Sequence, residues 1–72
     1  MTYDYGDEVI FKTIDAAGHV IARPCAVVGI TPVNNEALVR IHGHSLGTIL
    51  YSVEFADGTD SLIPENELER LS

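Results

Sequence analysis

Apolar side chains recur at every second position in the last third of the chain, in the run ILYSVEF over residues 49–55. A period of two is typical of a β-strand with one buried face. The pair Asp57-Gly58 follows, and such a pair beside strand residues predicts a tight hairpin turn. We therefore predict a return strand over residues 60–63, ended by Pro64 because proline has no N–H to donate to a sheet.

The same pattern predicts three strands upstream. The first covers residues 8–14, where EVIFKTI carries apolar side chains on both faces. The second lies within residues 20–30 and is interrupted at Pro24, since proline is tolerated only at an edge, a bulge or a break. Gly29 within this strand indicates a bend. The third covers residues 36–42 (EALVRIH) and brings the predicted strands to five.

Five short strands without a sustained helical period predict an all-β domain. A flat sheet of this size would expose one apolar face, so we expect the sheet to curl into a small five-stranded barrel. Residues 65–68 predict one short helical turn near the C-terminus, which would return Leu68 and Leu71 to the apolar surface. Residues 1–72 are expected to form a single domain, because seventy-two residues are enough for one domain at most. A chain this short buries only about 60% of its unfolded surface, so we expect marginal stability.

The chain has a formal net charge of −7, and its four lysine and arginine residues are scattered. Binding to a phosphate backbone needs several clustered cations, so we do not expect nucleic acid as a partner. Carboxylates accumulate near the end of the chain. They form either a solvated acidic face or a docking surface for a basic partner. These carboxylates are Glu54, Asp57, Asp60, Glu65, Glu67 and Glu69.

The sequence has one cysteine, which cannot form an intramolecular disulfide and suits a reducing compartment. No basic and apolar leader opens the sequence, and no apolar run approaches the ~18 residues of a membrane span. We therefore expect a cytoplasmic protein without a membrane partner.

The histidines and the cysteine are the residues most suited to chemistry. His42 and His44 are two positions apart, so in an extended chain both imidazoles would point the same way and could share a metal with His19 or Glu36. A closed zinc site needs four ligands, and this sequence has neither a cysteine pair nor a second histidine pair, so we predict no metal site. Cys25 opens the most apolar run and is predicted to be a buried structural thiol.

No catalytic set can be assembled from the remaining residues. No serine stands in a nucleophile elbow, and no glycine-rich phosphate loop precedes a helix. We therefore predict no catalytic residue and no cofactor, and we favour a protein that is not an enzyme.

The closing hairpin supplies a candidate contact surface. A two-residue turn would place Ser52 opposite Ile63. Leu50 and Ile63 would then lie on the outward face beside Ser52 and Ser61. Two outward apolar side chains among small polar ones predict a partner-binding face, with ordinary surface scatter as the alternative. The side chains of the hairpin that face the core would be Tyr51, Val53 and Leu62.

Several short motifs carry a resemblance to known folds. The opening GDEV (residues 6–9) and the closing VEFADGTDSLIPENEL (residues 53–68) resemble the SH3-like barrel superfamily, including Tudor-like domains. The end IPENELER (residues 63–70) is similar to type II dihydrofolate reductases, tetramers whose pore is lined by Val-Gln-Ile-Tyr before the proline. This chain has DSLI at that point. The resemblance thus implies the barrel fold rather than the reductase site.

Two further resemblances point to binding. The run GTILYSVEF (residues 47–55) is similar to NifZ-like nitrogen-fixation accessory domains and to the barrel of nitrile hydratase β subunits, which dock beside metalloenzymes. The triplet Tyr3-Asp4-Tyr5 and the run LIPEN (residues 62–66) resemble two motifs of peptide-binding SH3 domains. This chain has no tryptophan for a polyproline groove, and Glu67 stands where the second motif has tyrosine.

We predict a non-catalytic protein-interaction or assembly module that binds a protein partner or a second copy of itself. One alternative is an oligomeric enzyme of the type II dihydrofolate reductase kind, with a site at the symmetry axis. Another is an acidic inhibitor or immunity-type protein that masks a basic partner, whose binding would be salt-sensitive.

Overall fold

The structure, a computed structural model, describes residues 2–71 and contains one five-stranded antiparallel sheet in the order β4-β3-β2-β1-β5. The prediction of an all-β domain with a helical turn near its C-terminus is confirmed. The closing of the sheet into a barrel stays a prediction. None of the helices within residues 2–71 has the length and apolarity to cross a bilayer. The elements are β1 (Glu8–Ile14), β2 (Val20–Pro32), α1 (Glu36–His42), β3 (Ile49–Phe55), β4 (Asp60–Pro64), a 3-10 helix (Glu65–Glu67) and β5 (Leu68–Arg70).

β2 is longer than predicted and continues without a break through Pro24. Pro24 pairs with Ile10 of β1, and the ladder to β3 begins one residue later, at Cys25. The other edge of β2 is therefore free at Pro24, and the missing N–H interrupts no ladder there. β1 and β3 have the predicted bounds.

The predicted strand over residues 36–42 is wrong, because this segment forms helix α1. The side chain of Asn35 accepts a hydrogen bond from the backbone N–H of Leu38 and caps the first turn. Gly43 has a φ of 73° and ends the helix in the left-handed conformation. Seven residues are too few for apolar spacing to separate a helix from a strand, so the two caps decide the conformation.

The last strand of the described residues, β5 (Leu68–Arg70), is short and was not predicted from the sequence. β5 follows the 3-10 helix directly and pairs with Val9, Ile10 and Phe11 of β1. Leu68 is buried, as predicted, but Leu71 is 42% exposed, so its predicted return to the apolar surface is wrong.

The main core lies on one face of the sheet and takes side chains from all five strands and from the N-terminal segment. Each large apolar side chain buried in this way stabilises the fold by roughly 1.5–3 kcal/mol. Tyr51 and Val53 face this core, as predicted, whereas Leu62 does not and is 38% exposed. The core residues are Tyr3, Val9, Cys25, Val27, Tyr51, Val53, Phe55, Ile63 and Leu68.

A β-bulge bends the middle of β2, where a bend was predicted at Gly29. Val27 pairs with Val53 and Gly29 with Ser52, which leaves Val28 as the extra residue of the bulge. A Cβ atom on Gly29 would lie 3.1 Å from Cβ of Ser52. A larger residue at this position would therefore need Ser52 to move by a few tenths of an ångström.

The second face of the sheet is covered at one end only. Leu50 points away from the main core, because it alternates with Tyr51, yet it is fully buried. By register, Leu50 opposes Pro64 and lies diagonally across from Val33, which is also buried. The backbone N–H of Val33 donates to the carbonyl of Thr48, and the N–H of Gly47 donates to the carbonyl of Val33. These two hydrogen bonds join the ends of the segment that contains α1. The rest of this face is open to solvent.

Candidate functional site

A cleft of about 630 Å³ lies between the N-terminal segment, the loop after α1 and the 3-10 helix. Its walls come from three parts of the chain that are far apart in the sequence, and they are mainly polar. Hydroxyl, imidazole, amide and carboxylate groups all line it. The polar side chains of the lining are Thr2, Tyr3, His44, Ser45, Thr48, Glu65, Asn66 and Glu67.

A hydrogen-bond network built on Tyr51 and Glu65 holds one wall of the cleft in place. The buried Tyr51 hydroxyl donates to Oε2 of Glu65 at 2.6 Å and accepts from the backbone N–H of Tyr3 at 3.2 Å. Thr2 donates its backbone N–H to Oε2 and its hydroxyl to Oε1 of Glu65. A single carboxylate therefore connects the N-terminal segment, the centre of the sheet and the 3-10 helix.

Tyr3 fixes the N-terminal segment a second time. Its ring meets the ring of Tyr51 edge to face, with centroids 5.3 Å apart, and its hydroxyl donates to the carbonyl of Leu68 at 3.0 Å. Arg70 donates to the carbonyl of Thr2 at 2.7 Å. The two hydrogen bonds join residues more than 60 positions apart, so the cleft depends on tertiary packing.

The network perturbs both of its titrating groups. Burial raises the pKa of the Tyr51 hydroxyl, and the hydrogen bond to Glu65 raises it further. The same hydrogen bond lowers the pKa of Glu65. At neutral pH, Tyr51 is therefore a neutral donor and Glu65 an ionised acceptor, which is the strong form of this hydrogen bond.

The lining is rich in hydrogen-bonding groups. Its hydroxyl, amide and carboxylate groups offer donors and acceptors to an extended backbone or a polar side chain. The thiol of Cys25 lies elsewhere, in the main core, with Sγ 3.6 Å from the carbonyl of Val9. Burial raises the pKa of Cys25 and so disfavours the reactive thiolate. The prediction of a buried thiol is confirmed.

The structure separates the two histidines that the sequence singled out. His42 ends α1, Gly43 turns the chain, and His44 lines the cleft. The extended geometry that would point both imidazoles the same way is therefore absent. Within residues 2–71, no three histidine, cysteine or acidic side chains are grouped to hold a metal ion.

The closing hairpin has a register that differs from the predicted one by one residue. Phe55 donates its N–H to the carbonyl of Thr59, so the loop contains three residues rather than two. Ser52 consequently opposes Leu62, and Ile63 opposes Tyr51 on the core side. A shift of one residue moves every side chain of a strand to the other face.

The predicted contact face at Leu50, Ser52, Ser61 and Ile63 is wrong, because this register puts the two β4 residues on the core side and because Leu50, though on the outer face, is covered. Leu50 is fully buried and Ile63 is 6% exposed, so neither offers a contact surface. Ser52 is half-buried on the outer face, whereas Ser61 opposes the core residue Val53. The four residues do not come together, and a partner-binding role for them has lost its basis.

The carboxylates of the closing segment are also dispersed. Asp57 lies 3.6 Å from Arg23 and Glu69 lies 2.8 Å from Lys12. Glu65 and Glu67 line the cleft. Glu54 and Asp60 oppose each other on the outer face of the sheet. The segment therefore contributes to two separate acidic surfaces.

The sequence did not predict the cleft, although two of its motifs contain part of the lining. Tyr3 and the run from Pro64 to Asn66 belong to the two SH3-like motifs, about 60 residues apart, and both line the cleft. Co-localisation of two motifs from one resemblance was the signal that could have located it. His44 and Thr48 carried no such signal, because the loop that presents them was placed after a strand that is in fact a helix.

Comparison of this chain with protein-family models, curated proteins and solved structures finds no match.

Proposed function

We propose that this protein is a non-catalytic interaction module that binds a short extended segment of a partner protein in the cleft between Tyr3, His44 and the 3-10 helix. The observation that carries the proposal is the cleft itself, a concave polar surface whose wall is fixed by the Tyr51–Glu65 network. Because the walls are already formed in the free protein, less conformational entropy is lost when a segment binds.

The chemistry of the lining favours a segment with a basic side chain. Glu65 and Glu67 line the cleft, and none of the lining residues within the described part of the chain, residues 2–71, is a lysine or arginine. Because Glu65 is already bonded to Thr2 and Tyr51, the exposed Glu67 is the carboxylate free to meet a cation. A short segment bound to an open cleft of this size should dissociate with a Kd of micromolar order.

The test begins with a displayed library of short random peptides selected against the intact protein. Selected peptides should bind the wild type, and Asn66→Arg should weaken that binding at least about tenfold by placing a long cation in the cleft. Asn34→Arg is the matched control, because it adds the same side chain at an exposed position outside the lining. Failure to select any peptide, or equal losses in both variants, would overturn the proposal.

The mass of the protein in solution separates this proposal from the enzyme alternative. An enzyme of the type II dihydrofolate reductase kind completes its site only in a tetramer, whereas a cleft built within one chain needs no second copy. Light scattering on the wild type should therefore give the mass of a monomer, and this monomer should bind the selected peptides.

A further inference from the structure

The open part of the outer sheet face carries a row of side chains that crosses four strands. The register places Glu8 opposite Ala26, Ala26 opposite Glu54, and Glu54 opposite Asp60. Residues that are directly opposite share a face and have Cβ atoms about 4.5–5.5 Å apart. Glu8 and Glu54 thus flank the small side chain of Ala26 on either side.

This row concentrates negative charge without an internal partner. The ion pairs formed within residues 2–71 join Lys12 to Glu69, His19 to Asp15, Arg23 to Asp57 and Arg70 to Asp7, and none reaches the row. Like charges that lie directly opposite each other destabilise a sheet. Repulsion between Glu54 and Asp60 therefore destabilises the unbound protein. A cation contributed by a partner would relieve this repulsion.

Apolar surface lies beside these charges. Leu62 is 38% exposed and opposes Ser52 in the next row, and the bulge residue Val28 is 52% exposed. An open cleft of about 370 Å³ is lined by Pro24 and Ala26, by Glu8 and Glu54, and by Leu71, among other residues. The aliphatic stem of a long basic side chain can cover such surface while its charged end meets a carboxylate.

We infer that this open outer face docks a basic, partly apolar segment of a partner protein, with a lysine or arginine side chain lying over Ala26 between Glu8 and Glu54. Charge complementarity selects this occupant. The face is acidic and the chain carries a net charge of −7, so an anionic membrane or a nucleic acid is repelled. A basic, partly apolar segment can form ion pairs with the carboxylates of the row and can pack against the apolar side chains beside them.

This surface is distinct from the Tyr3–His44 cleft. The row spans β1 to β4, and no residue of the second cleft lines the first. A protein with both sites would join two partners, so the two proposals stand or fail separately.

The test uses a short synthetic peptide in which lysines alternate with leucines or alanines, and a second peptide with glutamate in place of lysine. Fluorescence anisotropy on the wild-type protein should detect the lysine peptide and not the glutamate peptide, with binding that weakens as salt is raised. Glu54→Lys should reduce affinity at least about tenfold. Glu36→Lys changes the net charge equally from α1, outside the sheet, and should reduce it less than about twofold.

Equal losses in Glu54→Lys and Glu36→Lys would overturn the inference, since they would show attraction to net charge alone. Absence of binding by the lysine peptide would also overturn it. Asp60→Asn supplies a readout without a ligand. Removal of one of the two opposed charges should raise the midpoint of urea unfolding, and an unchanged or lowered midpoint would contradict the electrostatic cost on which the inference rests.

Discussion

The hydroxyl of Tyr51 donates a 2.6 Å hydrogen bond to Oε2 of Glu65, and this contact joins the centre of the sheet to the wall of the cleft. The same hydroxyl accepts the backbone N–H of Tyr3. A tyrosine at the core position of β3 therefore has two roles: its ring fills the core, and its polar end orders the segments that line the site.

Replacement of Tyr51 by phenylalanine tests this double role. Tyr51→Phe keeps the ring but leaves the Tyr3 N–H without its acceptor and removes one of the donors to Glu65. The free energy of unfolding should fall by about 1–3 kcal/mol, measured by urea denaturation. Tyr5→Phe is the matched control, because Tyr5 is 65% exposed and its change should cost almost nothing. Equal stability of the two variants would show that the network contributes nothing.

The Glu65 hydrogen bonds predict a loss of stability in acid. Folding lowers the pKa of Glu65 below its unfolded value of about 4.3, so its stabilisation is complete above that pH and is lost as pH falls through the folded pKa. Glu65→Gln should therefore be less stable than the wild type at neutral pH, and the difference should shrink in acid. Glu67→Gln, in the same 3-10 helix, is the control. A difference that does not change with pH would contradict the assignment.

The close approach of β2 and β3 predicts strain at Gly29. Gly29→Ala would place a Cβ atom 3.1 Å from Cβ of Ser52. An overpacked contact of this kind should lower the free energy of unfolding by about 1–3 kcal/mol. Ser52→Gly in the same chain removes the opposing atom and should recover part of the loss. Thermal unfolding of both variants measures the effect. A Gly29→Ala protein as stable as the wild type would show that the strands can separate without cost.

The caps of α1 predict that one asparagine matters more than its neighbour. Asn35→Ala removes the acceptor of the Leu38 N–H and should destabilise the protein by about 1 kcal/mol. Asn34→Ala alters only an exposed contact between the two amides and is the matched control. Carbon chemical shifts over residues 36–42 report the helix directly, and strand-like values there would refute it.

The sequence predicted those parts of the fold in which local pattern and burial agree. β1 and β3 have strong apolar alternation and the bounds it predicts, and Gly29 marks the bend. The strand prediction for residues 36–42 was wrong because the spacing of apolar residues in so short a segment fits both a strand and a helix. The helix is capped by Asn35 through one hydrogen bond, which the spacing of apolar residues does not reveal.

The predicted contact face failed for a different reason. One extra residue in the loop after Phe55 reverses the faces of β4, so that Ile63 enters the core and Leu62 points outward. Loop length was ambiguous in the sequence, because Asp57-Gly58 fits loops of two or three residues. Only the two motifs that resemble SH3 domains pointed to the cleft; its other contacts, such as that of Thr2 with Glu65, depend on the completed fold.

The most direct test of the central claim is to map where a selected peptide binds. A peptide chosen from the displayed library against the wild type is titrated into isotope-labelled protein, and the backbone amide shifts are followed by NMR. The account predicts that the largest changes fall on Tyr3, His44, Thr48 and Asn66, which line the cleft. Changes confined to other surfaces, with these four amides unmoved, would contradict it.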